Sequence, residues 1–229
     1  MPLPFRQVVW MRGASYPLVV LNYAAGQGGF GWFLHRAGVP PLRTAGAVLF
    51  LIGTNLVALL VATTVAWWTF GGHGIGWVLF AGDVAIAAYL AVIAWAPAWL
   101  ARRPLLAPLF EAGLSGHAKA GLARLPHVIV VVVGQWAALR VWGIAVPLEA
   151  GVAYMPAVAI VSVLPISPAG LGSTSAALIF FFAAWAPEAQ VLAFSLVHYL
   201  YGVLAILLLG LACRFLGGRD RVAPIHARG

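Results

Sequence analysis

The chain alternates long apolar runs with short polar segments. Four of these runs are long enough to cross about 30 Å of hydrocarbon as helices, a task that takes about 20 residues. They cover residues 45–70, 77–100, 125–146 and 190–213. None of them shows the apolar–polar alternation of membrane β-barrel strands. The pattern therefore predicts an all-α, polytopic integral membrane protein with four full transmembrane helices.

Two further apolar stretches are interrupted by glycine and proline. The first covers residues 14–34 and contains the glycine-rich segment AAGQGGFG at 24–31. The second consists of two pieces, 152–165 and 173–186, which are joined by PISPAGLGSTS at 165–175. Because each piece is too short to cross, we expect two re-entrant helical hairpins, each of which enters and leaves by the same membrane face.

The basic residues predict the orientation. By the positive-inside rule, flanks rich in Lys and Arg lie in the cytoplasm. Residues 71–76, 143–150 and 187–189 carry neither Lys nor Arg, so we expect them outside. The basic flanks contain Arg6, Arg12, Arg36, Arg43, Arg102, Arg103, Lys119, Arg124, Arg214, Arg219, Arg221 and Arg228. Both termini and the short amphipathic stretch 104–117 are then cytoplasmic, and the two hairpins enter from opposite faces.

Composition narrows the class of protein. Hydrophobic residues make up 63% of the chain and charged residues only 8%, against about 25% charged in soluble domains. This excludes a soluble enzyme, and the net charge of +8 indicates topology signals and lipid anchors rather than nucleic-acid binding. The single cysteine, Cys213, excludes an internal disulfide, and the scattered histidines predict no metal site and no cofactor. The N-terminus lacks the pattern of a cleaved signal peptide.

The two broken stretches resemble each other. Ala25-Gly26-Gln27-Gly28 recurs as Ala169-Gly170-Leu171-Gly172, and each is followed by a full span with polar groups near its middle. We therefore expect one domain, 1–229, with halves at about 14–100 and 125–214 joined by a cytoplasmic segment, 101–124. Halves that enter from opposite faces form an inverted-topology repeat, which is common in secondary transporters.

The second hinge predicts an anion site. A half-helix that starts near Ser173 would direct its N-terminal dipole and free N–H groups at the membrane interior. The groups that surround this start are Ser167, Gly170, Gly172, Ser173, Thr174 and Ser175. The alternative is that the hydroxyl groups only cap the half-helix.

Polar residues within the apolar segments are further candidates for substrate binding, because such residues are costly in a membrane. They are Asn22, Gln27, Asn55, Asp83, Gln135, Arg140, His198 and Tyr199. Asp83 and His198 suit proton transfer or a headgroup contact. Asn55 and Gln135 are equally well explained as hydrogen-bonding residues between helices. Arg140 would snorkel to the interface or pair with Asp83.

Two segments resemble a known family. They are LPISPAGLGSTSAAL at 164–178 and NYAAGQGGFGWFLHRAGVPPLRTAGAVLF at 22–50. Both are similar to the transmembrane, flippase-like domain of bacterial lysyl-phosphatidylglycerol synthases. The chain departs from that family at Ser173 and Thr174, where Arg-Glu is frequent, and at Gln27, where an acidic residue is usual. Thr54, Asn55 and Ala58 likewise replace intramembrane charges of the family.

This resemblance implies a membrane transporter rather than an enzyme. The substrate would be a phospholipid or a lipid-linked anion such as a polyprenyl phosphate, flipped across the bacterial inner membrane. Because no soluble synthase domain follows Gly229, we expect no aminoacyl transfer. Expected partners are membrane lipids and a second copy in a homodimer. Two alternatives remain: an intramembrane serine hydrolase that uses Ser173 and His198, and a membrane scaffold without transport activity.

Overall fold

The computed structural model describes residues 4–71, 74–164 and 171–216, and within these ranges all regular secondary structure is helical. The all-α class is therefore confirmed. A single 3₁₀ turn, Tyr16–Val20, joins the first two α-helices. The α-helices are α1 (Phe5–Ser15), α2 (Tyr23–Arg36), α3 (Pro41–Phe70), α4 (Gly76–Trp95), α5 (Ala98–Ala101), α6 (Ala107–Val141), α7 (Leu148–Val163), α8 (Leu171–Phe182) and α9 (Glu188–Leu216).

Four helices are long and apolar enough to cross a membrane: α3, α4, α6 and α9. They coincide with the four predicted spans, although two of the predicted ends are wrong. Helix α4 stops at Trp95 rather than near residue 100, because Ala96 adopts a left-handed conformation with φ 45° and Pro97 cannot continue the helix. Helix α6 stops at Val141 rather than at residue 146, shortly before Gly143 turns the chain with φ 76°.

Helix α6 also begins earlier than the sequence indicated. The amphipathic stretch 104–117 was expected to be separate from the span, and this holds in part: α6 starts at Ala107, but non-helical backbone at Gly113 separates residues 107–112 from the rest of the helix. The helix bends sharply at Gly113, where φ is 56° and ψ is −174°. Glycine tolerates this backbone conformation because it lacks a Cβ atom.

In the first short-helix pair, α1 and α2, the turn lies at a different position from the one that the sequence predicted. The glycine-rich segment 24–31 was expected to form that turn, yet it is helical throughout, and the chain turns before it at residues 16–22. Its glycines allow close packing instead. A Cβ atom on Gly26 would lie 2.3 Å from Cγ2 of Val19, and one on Gly29 would lie 2.4 Å from Cδ1 of Leu18.

The second short-helix pair consists of α7 and α8, which also pack against each other. The linking residues 165–170, which include the predicted site residues Ser167 and Gly170, lie outside the described residues. Helix α7 has 16 residues and α8 has 12, so neither can cross about 30 Å at 1.5 Å per residue.

Helix α3 is the centre of the fold, where it packs against α2, α6 and α7, while α8 and α1 pack on α9. The main core is formed by side chains such as Leu139, Met155, Phe182 and Phe194, each no more than 1% exposed. Helix α4 lies at the periphery with large apolar side chains exposed. Trp77 is 75% exposed and Trp95 is 81% exposed. Such an apolar exterior is what a bilayer would cover.

Candidate functional site

A cavity of about 170 Å³ lies where both short-helix pairs meet α6 and α9. The first pair contributes Val19 and Val20 from its 3₁₀ turn, and the second contributes Leu171 and Thr174 from the start of α8. Other apolar walls come from Met155, Val158, Leu178, Phe194, Val203 and Ile206, and Gly202 completes the apolar lining. The cavity is thus bounded by described residues of the second predicted hinge, 165–175, and by the 3₁₀ turn, which lies before the predicted first hinge at 24–31.

Four of the predicted site residues line this cavity: Gln135, Thr174, His198 and Tyr199. Gln135 is of particular interest because its Oε1 atom is buried and accepts no hydrogen bond within the described part of the chain. An unpaired buried acceptor costs about 1–3 kcal/mol. A ligand that presents a hydroxyl or N–H group to Gln135 would recover this cost.

His198 and Tyr199 contribute differently to the wall. The imidazole ring of His198 stacks on Phe194, with ring centroids 5.3 Å apart and planes inclined by 25°. Both rings lie beside the cavity, because Phe194 and His198 line it together. Tyr199 follows at the next position and also lines the cavity.

Sequence reasoning missed two polar residues of the site, Ser162 and Ser195. The Ser195 hydroxyl hydrogen-bonds the Ser175 hydroxyl at 2.7 Å and thereby connects α9 to α8. Ser175 also donates to the carbonyl of Leu171 at 2.6 Å, as a serine does when it satisfies its own helix. Ser195 could have been found from its spacing, because it lies three residues before His198 and so on the same helix face.

The start of α8 contains the remaining described hydroxyl candidates. Gly172 and Ser173 lie in its first turn, and Gly172 has open space around its Cα atom. Thr174 is the predicted residue of this turn that lines the cavity. The Ser175 hydroxyl is engaged by Leu171 and Ser195. The described part of α8 begins at Leu171, two residues before the predicted start near Ser173.

The polar residues of α3, α4 and the end of α6 lie elsewhere. Asn55 is buried in α3, only 6% exposed, and does not line the cavity. Of the two alternatives for Arg140, snorkelling and an ion pair with Asp83, the ion pair is not formed among the described residues. Asp83 instead accepts a hydrogen bond from Thr64 at 3.1 Å, since α4 packs on α3, and Arg140 is exposed.

The two candidates of the first short-helix pair have structural partners. Asn22 caps α2 by accepting a hydrogen bond from the backbone N–H of Ala25 at 2.7 Å. Gln27 is 1% exposed and accepts from Nη1 of Arg12 at 2.7 Å. Arg12 was assigned to a cytoplasmic flank, but it belongs to the last turn of α1 and is half-buried.

Metal coordination finds no support in the geometry: within the described ranges, no three His, Cys, Asp or Glu side chains come together. No protein-family model, curated protein or solved structure matches the chain. The similarity to the lysyl-phosphatidylglycerol synthases accordingly stays a prediction from two sequence segments. Function has to be argued from the site itself.

Proposed function

We propose that this protein translocates a phospholipid, or a lipid-linked anionic substrate such as a polyprenyl phosphate, across the bacterial inner membrane. The observation that carries the proposal is that the turn of the first short-helix pair and the start of α8 line one cavity. In transporters built from inverted repeats, substrate sites form where interrupted helices of both repeats meet.

The lengths of the short helices support a re-entrant arrangement. Helices α1, α2, α7 and α8 have 11, 14, 16 and 12 residues, which correspond to at most about 24 Å of rise. Each pair therefore enters and leaves by one face of the bilayer. The basic flanks then give the first pair a cytoplasmic entry and the second pair an external entry, with both termini in the cytoplasm. Rocking of one half against the other would open the cavity to each face in turn.

The chemistry of the cavity suits passage of a lipid headgroup. No Asp, Glu, Lys or Arg side chain is among the described residues that line it. Weak polar contacts come from Gln135, Thr174, Ser195 and His198, and the N-terminal dipole of α8 favours an anion. A transport pathway requires binding that is weak enough for release, and its apolar walls match an acyl or isoprenoid chain.

Reconstitution tests this proposal. We expect proteoliposomes to move fluorescent phosphatidylglycerol or a fluorescent polyprenyl phosphate between leaflets faster than protein-free liposomes. The variant Gln135→Leu should slow this movement several-fold, whereas Gly28→Ala, on an exposed and open face of α2, should not. If neither substrate class moves faster with wild-type protein than without protein, the proposal is wrong.

The hydrolase alternative makes a different prediction. A hydrolase requires an active serine within hydrogen-bond reach of His198. The contact that the structure gives for the His198 ring is the stacking on Phe194. Labelling by a fluorophosphonate probe that disappears in Ser173→Ala would favour the hydrolase. If the protein is instead a membrane scaffold without transport activity, Gln135→Leu and His198→Ala should leave its function in the cell unchanged.

A further inference from the structure

Arg12 of α1 is a cation without a carboxylate partner. It is half-buried in the last turn of the helix, and within the described ranges no Asp or Glu forms an ion pair with it. Its Nη1 atom donates to Oε1 of Gln27 at 2.7 Å. Because an amide is neutral, this bond orients the guanidinium group but leaves its charge uncompensated.

Gln27 retains an unused donor beside this cation. Its side chain is 1% exposed, and its Nε2 atom makes no hydrogen bond to the described part of the chain. The guanidinium group can only donate, so the amide oxygen has to face Arg12 and Nε2 is the unpaired group. A ligand oxygen that reached both groups would satisfy the amide and compensate the charge together.

Two aromatic rings hold Arg12 in this position. The guanidinium carbon lies 5.6 Å from the ring centroid of Tyr16 and 5.6 Å from that of Phe30. Cation–π contacts of this kind stabilise the arginine without neutralising it. The charge is therefore positioned in advance of any ligand.

We propose that Arg12 and the Gln27 amide bind the phosphate group of an anionic lipid. The guanidinium group matches the oxygens of a phosphate with charge-assisted hydrogen bonds, and the free Nε2 donor of Gln27 adds a further hydrogen bond. The turn that connects the helices of Arg12 and Gln27 carries Val19 and Val20, which line the cavity. A headgroup on this site is therefore held next to the pathway.

The lipid nature of the ligand rests on the proposed function, whereas the anion site does not. Free phosphate offers the same oxygens, so the test has to separate the two sources. Native mass spectrometry of the full chain in detergent does so with three probes: phosphatidylglycerol, diacylglycerol with the same acyl chains, and inorganic phosphate.

We expect wild-type protein to retain phosphatidylglycerol in preference to diacylglycerol. Arg12→Gln should weaken phosphatidylglycerol binding at least about tenfold, as loss of a charge-assisted contact would. Binding of diacylglycerol should not change. The matched control is Arg36→Gln, because Arg36 is an exposed arginine at the end of α2 that lies over Trp32.

Gln27→Glu separates binding from folding. The new carboxylate would lie beside the guanidinium of Arg12, neutralise it and form an ion pair, so the thermal stability should be kept or raised. Binding of phosphatidylglycerol should nevertheless fall about tenfold. A purely structural role for Arg12 predicts unchanged lipid binding in this variant, and that result would overturn the proposal.

The other possible outcomes also test the proposed site. If Arg12→Gln loses inorganic phosphate but keeps phosphatidylglycerol, the site serves a free anion and the lipid assignment is wrong. Equal binding of phosphatidylglycerol and diacylglycerol by wild-type protein would overturn the proposal as well. Intact, arginine-dependent binding without transport in proteoliposomes would instead contradict the proposed function and leave this site in place.

Discussion

The two short-helix pairs look alike in sequence but differ in chemistry. The first pair buries a charged group, Arg12, against a neutral amide and two aromatic rings. In the second pair, α8 begins beside a cavity and contributes the Thr174 hydroxyl group to it. The described lining of this cavity has no charged side chain. We infer a division of labour in which one pair holds the charge of a ligand and the other allows its passage. Similar glycine motifs therefore do not imply similar sites.

Among the variants that test this comparison, the largest loss of stability is expected from a change in the packing of the first pair. Gly26→Ala would bring a Cβ atom to 2.3 Å from Cγ2 and 3.3 Å from Cα of Val19, and overpacking of this kind costs up to about 3 kcal/mol. Gly28→Ala is the matched control, because its Cβ atom would meet no heavy atom within 4 Å. Alanine in an open helical position stabilises by about 0.5–1 kcal/mol. Thermal unfolding in detergent measures both, and equal effects would contradict the packing role of Gly26.

A smaller effect on stability is expected to distinguish Gln27, which is buried, from Gln135, which is half-buried with a buried Oε1 atom. Gln27→Leu removes the acceptor of a half-buried arginine and should destabilise the fold by about 2 kcal/mol. Gln135→Leu removes an acceptor that is already unpaired, so stability should be unchanged or slightly higher. Unfolding of the two variants under identical conditions is the measurement. A large destabilisation by Gln135→Leu would mean that Gln135 has a structural partner.

The smallest effect concerns the contact between α8 and α9. Ser195→Ala removes the hydrogen bond to Ser175, which should cost about 1 kcal/mol, since Ser175 keeps its bond to the Leu171 carbonyl. Ser162→Ala is the control in the same cavity. Among the described residues, its hydroxyl bonds the carbonyl of Ala159 in its own helix, and its removal should be nearly neutral. Similar unfolding midpoints for both variants would contradict a specific role of the Ser175–Ser195 pair.

Hydropathy was sufficient to predict the long helices, because each of them has to be apolar over most of its length. The ends of these helices were harder to predict, since they depend on local features such as the left-handed Ala96 and the bend at Gly113. The first turn was predicted in the wrong place for a related reason. Glycine serves both tight turns and close helix packing, and only the contacts of Gly26 with Val19 distinguish the two uses.

The site was predictable in part. Gln135, Thr174, His198 and Tyr199 were identified because polar groups in apolar runs are conspicuous, and the fold brings these four together. Ser195 was missed because a single serine in a helix is usually satisfied by its own backbone. The environment of Arg12 was not predictable at all, since Gln27 and Phe30 reach it only when the 3₁₀ turn folds α2 back against α1.

The central claim is that the substrate passes between the turn of the first pair and the start of α8. Val20→Cys with Thr174→Cys, in a Cys213→Ala background, places one thiol on each side of the cavity. We predict that a reducible bifunctional thiol reagent stops lipid movement in proteoliposomes, that reductant restores it, and that the single-cysteine variants remain active. Unchanged lipid movement after complete cross-linking would contradict this account.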